Sequence, residues 1–268
     1  MSRYCVMFLL ITEKFQENIL DKRFEIARNM YNSVLGKANK RYKSMVETKK
    51  YRNLKDKIKE MYNLTDKQSQ KELKEVYGTL NEMYKEYNLN EYSLHSDIKD
   101  AQHHFKENID SFTAQKIATR VWRSMEKLMY GNGEQIHFKK YGELNSLEGK
   151  TNSTGIRFKN NTLLWNGLEI PVKINYNNPY QALQDEICYC RVKRKFIKDK
   201  YKYYLQIVFK GVPPIKINKD GEIKREIGIG TVGLDIGTQT IAIVSNNNVN
   251  LLELADIVQN IENVKRRL

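Results

Sequence analysis

Ile187-Cys-Tyr-Cys-Arg-Val-Lys-Arg-Lys-Phe-Ile-Lys-Asp-Lys-Tyr-Lys-Tyr-Tyr-Leu-Gln-Ile-Val-Phe-Lys210 reads as two long strands, Ile187–Lys198 and Tyr201–Lys210, joined by a tight turn at Asp199-Lys200. In the second strand Tyr201, Tyr203, Leu205, Ile207 and Phe209 alternate with Lys202, Tyr204, Gln206, Val208 and Lys210. A period of two puts one set on each face of a sheet. Arg191, Lys193, Arg194, Lys195, Lys198, Lys200 and Lys202 crowd into the hairpin, interrupted only by Asp199. Lysines often guard an edge strand against aggregation. Seven cations in twelve residues exceed that need and point to a surface that tracks phosphates.

Further strands are expected at Gln135–Lys140, Gly155–Phe158, Thr162–Trp165 and Leu168–Ile174. Short strands with Gly- and Asn-rich turns suggest a small β-barrel. Phe138-Lys139-Lys140 sets an aromatic ring beside two cations, which suits stacking with phosphate contact. Pro213-Pro214 and Gly228-Ile229-Gly230 mark a boundary after the barrel.

Before residue 131 the period is helical. Val6–Ile11 reads as a short strand, and a helix begins near Glu13 with Phe15, Ile19, Ala27, Tyr31, Val34, Leu35, Ala38, Tyr42 and Met45 near helical spacing. Thr65-Asp66-Lys67-Gln68 forms a capping box for a helix running to Tyr87. Leu94, Ile98, Ala101 and Phe105 mark another. Ser111 caps a last one, with Ala114, Ile117, Ala118, Val121, Trp122, Met125 and Leu128 on one face and Gly131 as its stop.

The 268 residues carry a formal charge of +14, with 40% apolar and 29% charged residues, as expected of a globular chain with a polyanionic partner. No run approaches the roughly 18 apolar residues of a membrane span, and Val6–Ile11 is short for a signal-peptide core. A cytoplasmic protein with no membrane partner is expected. Cys5, Cys188 and Cys190 form no disulfide framework, and no Cys-x-x-Cys is present to hold zinc. His95, His103, His104 and His137 leave a zinc protein as a remote alternative; the adjacent His103 and His104 cannot share a helix face.

Thr231-Val-Gly-Leu-Asp-Ile-Gly-Thr-Gln-Thr-Ile-Ala-Ile-Val244 is the most specific stretch. Asp235 sits in an apolar strand, where an acid is costly to bury without a partner. A metal ion that activates water at a phosphodiester supplies one reason for it, and a hairpin whose Asp caps its own turn supplies another. Actin-like ATPases and sugar kinases, and RNase H-like nucleases, both use such an Asp-x-Gly-Thr hairpin. Its late position favours the nuclease reading over a fragment of an actin-like ATPase or sugar kinase.

The order of these parts resembles the N-terminal part of the TnpB family, transposon-encoded RNA-guided DNA endonucleases related to type V CRISPR effectors. Arg23-Phe-Glu-Ile-Ala-Arg-Asn-Met-Tyr-Asn-Ser-Val-Leu35 resembles the family's Arg…Tyr-Asn segment. Ser111-Phe-Thr-Ala-Gln115 resembles its Ser…Gln helix, and Phe138-Lys-Lys140 followed by Ser146 its Phe-Lys-Lys…Ser segment. Gly233-Leu-Asp-Ile-Gly237 resembles its first RuvC motif. The resemblance implies an α+β fold: a helical bundle inserted in a small β-barrel, followed by the first strands of an RNase H-like (RuvC) α/β domain. Residues 1–11 and 131–228 would form the discontinuous, wedge-type barrel. Residues 12–130 would form the helical recognition region, and 229–268 an incomplete RuvC domain.

By the same resemblance Asp235 is the first catalytic acid and a ligand for Mg2+, which the complete family site requires. The partners implied are a guide RNA and double-stranded DNA. Contacts are expected from Lys139, Lys140, Arg191, Lys193, Arg194 and Lys195 in the barrel, and from Gln115, Lys116, Arg120 and Arg123 on the last helix. The family's second and third acidic motifs and its zinc ribbon are not found before Leu268, so this chain is expected not to cleave by itself unless a second chain completes the RuvC half. A regulator that binds under RNA guidance and does not cut shares every binding residue.

Overall fold

A computed structural model describes residues 2–64, 66–131, 133, 135–174, 182–214, 231–237 and 240–253. The chain divides into two compact units, Met1–Pro214 and Ile215–Leu268. The break falls at Pro213-Pro214, where a ring-fixed backbone without N–H donors discourages continued sheet pairing. The Gly228–Gly230 stretch lies outside the described residues.

The first unit mixes helices with a curled antiparallel sheet. After β1 (Arg3–Leu10) come α1 (Lys14–Val46), α2 (Lys49–Met61), α3 (Lys67–Glu86), α4 (Glu91–Asp97), α5 (Lys99–His104) and α6 (Ser111–Met129). Then come β2 (Ser146–Glu148), β3 (Arg157–Lys159), β4 (Thr162–Trp165), β5 (Leu168–Lys173), β6 (Ile187–Ile197) and β7 (Lys200–Lys210). The strand order is β2-β6-β7-β1-β5-β4-β3, and the sheet curls into a half-barrel. β1 lies inside it, paired with β7 from Arg3↔Lys210 to Leu9↔Tyr204 and with β5 at Leu10↔Val172. The helices are therefore an excursion between β1 and the strands that flank it.

Packing explains the arrangement. α1 buries Leu20, Phe24, Ala27, Met30, Tyr31, Val34, Leu35 and Ala38, and α6 buries Ala114, Ile117, Ala118, Val121 and Met125. The sheet adds Phe8, Leu163, Trp165, Ile170, Val192, Leu205, Ile207 and Phe209 to one continuous core. Each large side chain so buried adds about 1.5–3 kcal/mol of apolar transfer. Polar ties hold α1 to the sheet. Arg23 stacks its guanidinium 4.6 Å from the Trp165 ring centre and donates to the carbonyls of Trp165 (2.7 Å) and Asn166 (2.8 Å). Burial lowers its pKa to about 10.

Local signals shift in several places. α3 is capped by Asp66, which accepts from Ser69 N, while Thr65 lies outside the described residues. α6 is capped by Asp110, one residue before Ser111. The expected helix through Leu94 and Phe105 is two short helices that break at Ile98. α2 was not anticipated: its apolar positions Tyr51, Leu54 and Ile58 are sparse among lysines. Residues 135–140 form no strand, and β2 appears at Ser146–Glu148 instead. The hairpin turn is Lys198-Asp199, whose φ angles of 49° and 60° are those of a two-residue type I′ turn. Cys190 is buried, Cys188 half-buried and Cys5 exposed. Among the described residues no helix is long and apolar enough to cross a membrane.

The second unit holds β8 (Val232–Ile236), β9 (Thr240–Ser245) and β10 (Val249–Glu253), an antiparallel sheet of order β10-β9-β8.

Candidate nucleic-acid interface

The alternation of β6 divides the basic hairpin into two populations. Cys190, Val192 and Arg194 point inward and are buried. Arg191, Lys193 and Lys195 point to the other face, opposite Gln206, Tyr204 and Lys202 of β7.

Arg194 is only 3% exposed. Its Nη1 donates to Asp21 (3.0 Å), its Nη2 to Glu25 (2.9 Å) and its Nε to Asn145 Oδ1 (3.1 Å). Burial by itself lowers the guanidinium pKa, but the bonds to Glu25 and Asp21 outweigh it and the net shift is upward. Glu25 shows the reciprocal balance. Burial raises its pKa, but Arg194, Arg28 and the Gly142 N–H hold it below the usual carboxylate value. Arg194 is thus a fastener between β6 and α1: three of its five N–H donors are bonded inside the protein, and little of its side chain reaches solvent.

Arg191 is also engaged. Its Nε donates to Glu148 at 2.6 Å and its Nη2 to Tyr189 Oη at 2.8 Å. Lys116 of α6 meets the same carboxylate at 3.1 Å. Burial tends to raise the Glu148 pKa, but Lys116 and Arg191 hold it low, so two cations share one anion.

A groove of about 690 Å³ opens between β6 and the segment leading to β2. Lys139, Lys193, Lys195, Arg120, Asn145 and Phe196 line it, and Glu143 is the one acid of its wall among the described residues. Lys139, Lys140, Lys193 and Lys195 make no ion pair among the described residues. The Lys195 ammonium lies 5.5 Å from the Tyr204 ring centre. The Phe138–Lys140 wall is held through its backbone: Asn32 accepts from Lys139 N (2.8 Å) and donates to Lys139 O (2.9 Å), and Arg28 donates to the same oxygen (3.2 Å). This clamp takes both backbone groups of Lys139, which a strand would have paired with a neighbouring strand. It leaves the lysine side chains free.

The α6 residues divide likewise. Arg120 reaches the groove but donates to Ser146 O at 2.8 Å, and burial lowers its pKa. Gln115 accepts from Lys150 (3.4 Å). Arg123 is exposed. Lys139, Lys193 and Lys195 therefore come together as unpaired cations, with Lys140 exposed beside Glu143. Phe196, Glu143 and Asn32 were not singled out by the sequence. Phe196 shares the inward parity of Val192 and Arg194 yet is exposed near the hairpin end, so its parity gave no signal.

Asp235 of β8 is exposed, and the register sets Ala242 and then Leu251 beside it on its face. Among the described residues no group of three or more His, Cys, Asp or Glu side chains comes together. The described donor set does not fit a magnesium site of the kind that holds two ions between several carboxylates.

No family model matches the chain, and a search of curated proteins likewise finds no match.

Proposed function

We propose that this chain binds RNA in the Lys139–Lys193–Lys195 groove, as the N-terminal portion of a TnpB-like RNA-guided DNA-binding protein. The observation that carries the reading is the groove itself: among the described residues, unpaired lysines on two walls, a single acid between them, and lysine ammonium groups free to release counterions from phosphates. Two further features support it. β1 is separated from its sheet neighbours by a helical excursion, as the family's barrel and recognition region imply. Asp235 lies on the first of three antiparallel strands, where the resemblance expects the opening strands of an RNase H-like domain.

The exposed faces of α6 and the groove would then meet guide RNA and target duplex, with base pairing reading the sequence. Binding without cutting is the reading favoured, because among the described residues the register sets Ala242 and Leu251 beside Asp235 on its strand face. Two assays test this. Titration with structured RNA at low and moderate salt should give tight binding that weakens steeply with salt; weak, salt-insensitive binding would remove the reading. Incubation with RNA, matching plasmid and magnesium should leave the plasmid intact, and guided double-strand cutting would overturn the non-cleaving assignment.

A further inference from the structure

Four side chains form a column from the core to the mouth of the groove. Phe24 of α1 is fully buried. The Arg194 guanidinium lies between rings, 4.6 Å from the centre of Phe24 and 4.7 Å from that of Tyr201. Tyr201 meets Phe196 edge-on, with centroids 5.3 Å apart and planes at 68°. Arg194 is itself fixed by Asp21, Glu25 and Asn145. The column is therefore anchored at every level, and its outermost member, Phe196, is 64% exposed.

We propose that Phe196 is a stacking platform for an unpaired base, so that the groove takes a single-stranded stretch of RNA. The proposal rests on the RNA-binding reading above and deepens it. A phenylalanine has no polar tip to keep in water, and a ring held in place loses little entropy when it is covered. Aromatic faces next to a cationic groove bind bases whatever their sequence, since every base has a π-face. Bases inside a duplex are already stacked on one another and offer no face. Lys193, Lys195 and Lys139, on the walls of the same groove, are the phosphate contacts.

The Glu143 carboxylate selects the sugar. Glu143 repels phosphates, and a DNA strand gives it nothing in return. A ribose 2′-hydroxyl is a hydrogen-bond donor that deoxyribose lacks. Oε2 of Glu143 accepts from Lys140 N at 2.7 Å, and its other oxygen makes no hydrogen bond among the described residues. It is the acceptor for that hydroxyl, which commits the groove to RNA.

The test uses the full chain and labelled probes: a short unpaired RNA, DNA of the same sequence, and the fully paired RNA duplex. Phe196→Ala should weaken unpaired-RNA binding roughly tenfold, leave duplex binding and salt dependence unchanged, and lower the melting temperature only slightly, through the lost edge contact with Tyr201. Phe196→Trp should retain or strengthen binding. Glu143→Gln should narrow the preference for RNA over DNA. If Lys193→Ala/Lys195→Ala weakens binding but Phe196→Ala does not, the stacking role is overturned while RNA binding stands. If neither variant matters, the RNA-binding reading fails with it. Equal affinity for RNA and DNA in the unsubstituted protein overturns the role given to Glu143.

Discussion

Nη2 of Arg194 donates to Oε1 of Glu25 at 2.9 Å, tying the middle of β6 to α1 across the interior. One residue earlier, Lys193 faces the groove. Neighbours in a run of like charge thus do opposite jobs, because a strand turns successive side chains to opposite faces.

The Arg194 ties predict a stability defect and not a binding defect. Arg194→Ala removes the cation from Asp21 and leaves Glu25 with Arg28 alone. Breaking a fully buried pair costs about 3–5 kcal/mol, and the exposure of Asp21 puts this loss below that range. Urea denaturation should show that loss. Below the transition, the folded fraction should bind RNA with the same salt dependence as the parent. A stable Arg194→Ala protein with weakened RNA binding would place the guanidinium in the interface instead.

Acid should loosen this junction and the one that Glu148 makes with Arg191 and Lys116. Glu25 and Glu148 both titrate below the usual carboxylate value in the folded chain. A depressed pKa contributes stability that is present above the unfolded value, about 4.3, and lost as pH falls through the folded value. Midpoints of urea unfolding should therefore drop on acidification below about pH 4. Glu25→Gln should be less stable at neutral pH and flatter in its acid response. An unchanged pH profile in that variant would contradict the assigned ion pairs.

Glu148 holds back two cations. Glu148→Gln frees Arg191 and Lys116 from their shared carboxylate. RNA binding should strengthen and become steeper in salt by about 0.7 per added phosphate contact. Filter binding at several salt concentrations reads both effects. No gain would mean that neither cation can reach the bound strand.

Gly155 is required by geometry. Its φ is +68°, and a Cβ there would sit 2.5 Å from Asp110 Oδ1. Asp110 cannot easily move, since it caps α6 through Thr113 N (2.9 Å) and accepts from Trp165 Nε1 (3.0 Å). Gly155→Ala should lower stability by at least about 1 kcal/mol. A thermal midpoint equal to that of the parent would contradict this packing.

The hairpin of β6 and β7 was legible because its signal is local: alternation over ten residues and a turn between. The helix α1 was legible for the same reason. The side to which each cation points was also written in the parity of Arg191, Lys193 and Lys195 against Arg194. A count of charges discards parity, however, and the carboxylates that hold Arg194 lie 169 and 173 residues away. The loss of the strand expected at residues 135–140 has a similar cause. The partners of the Lys139 backbone are the side chains of Asn32 and Arg28, more than a hundred residues earlier. Phe196 carried no local sign of function, because its exposure depends on where the sheet ends and its rigidity on Tyr201 and Phe24 from two other elements.

The most direct test of the groove is salt-dependent RNA binding by a Lys139→Ala/Lys193→Ala/Lys195→Ala variant beside the parent chain. Removing three phosphate contacts should reduce the slope of log affinity against log salt by about 2, at roughly 0.7 per contact on a single strand, with no change in melting temperature. A triple variant that binds RNA with the parent's affinity and slope would contradict the account and place any nucleic acid elsewhere on the protein.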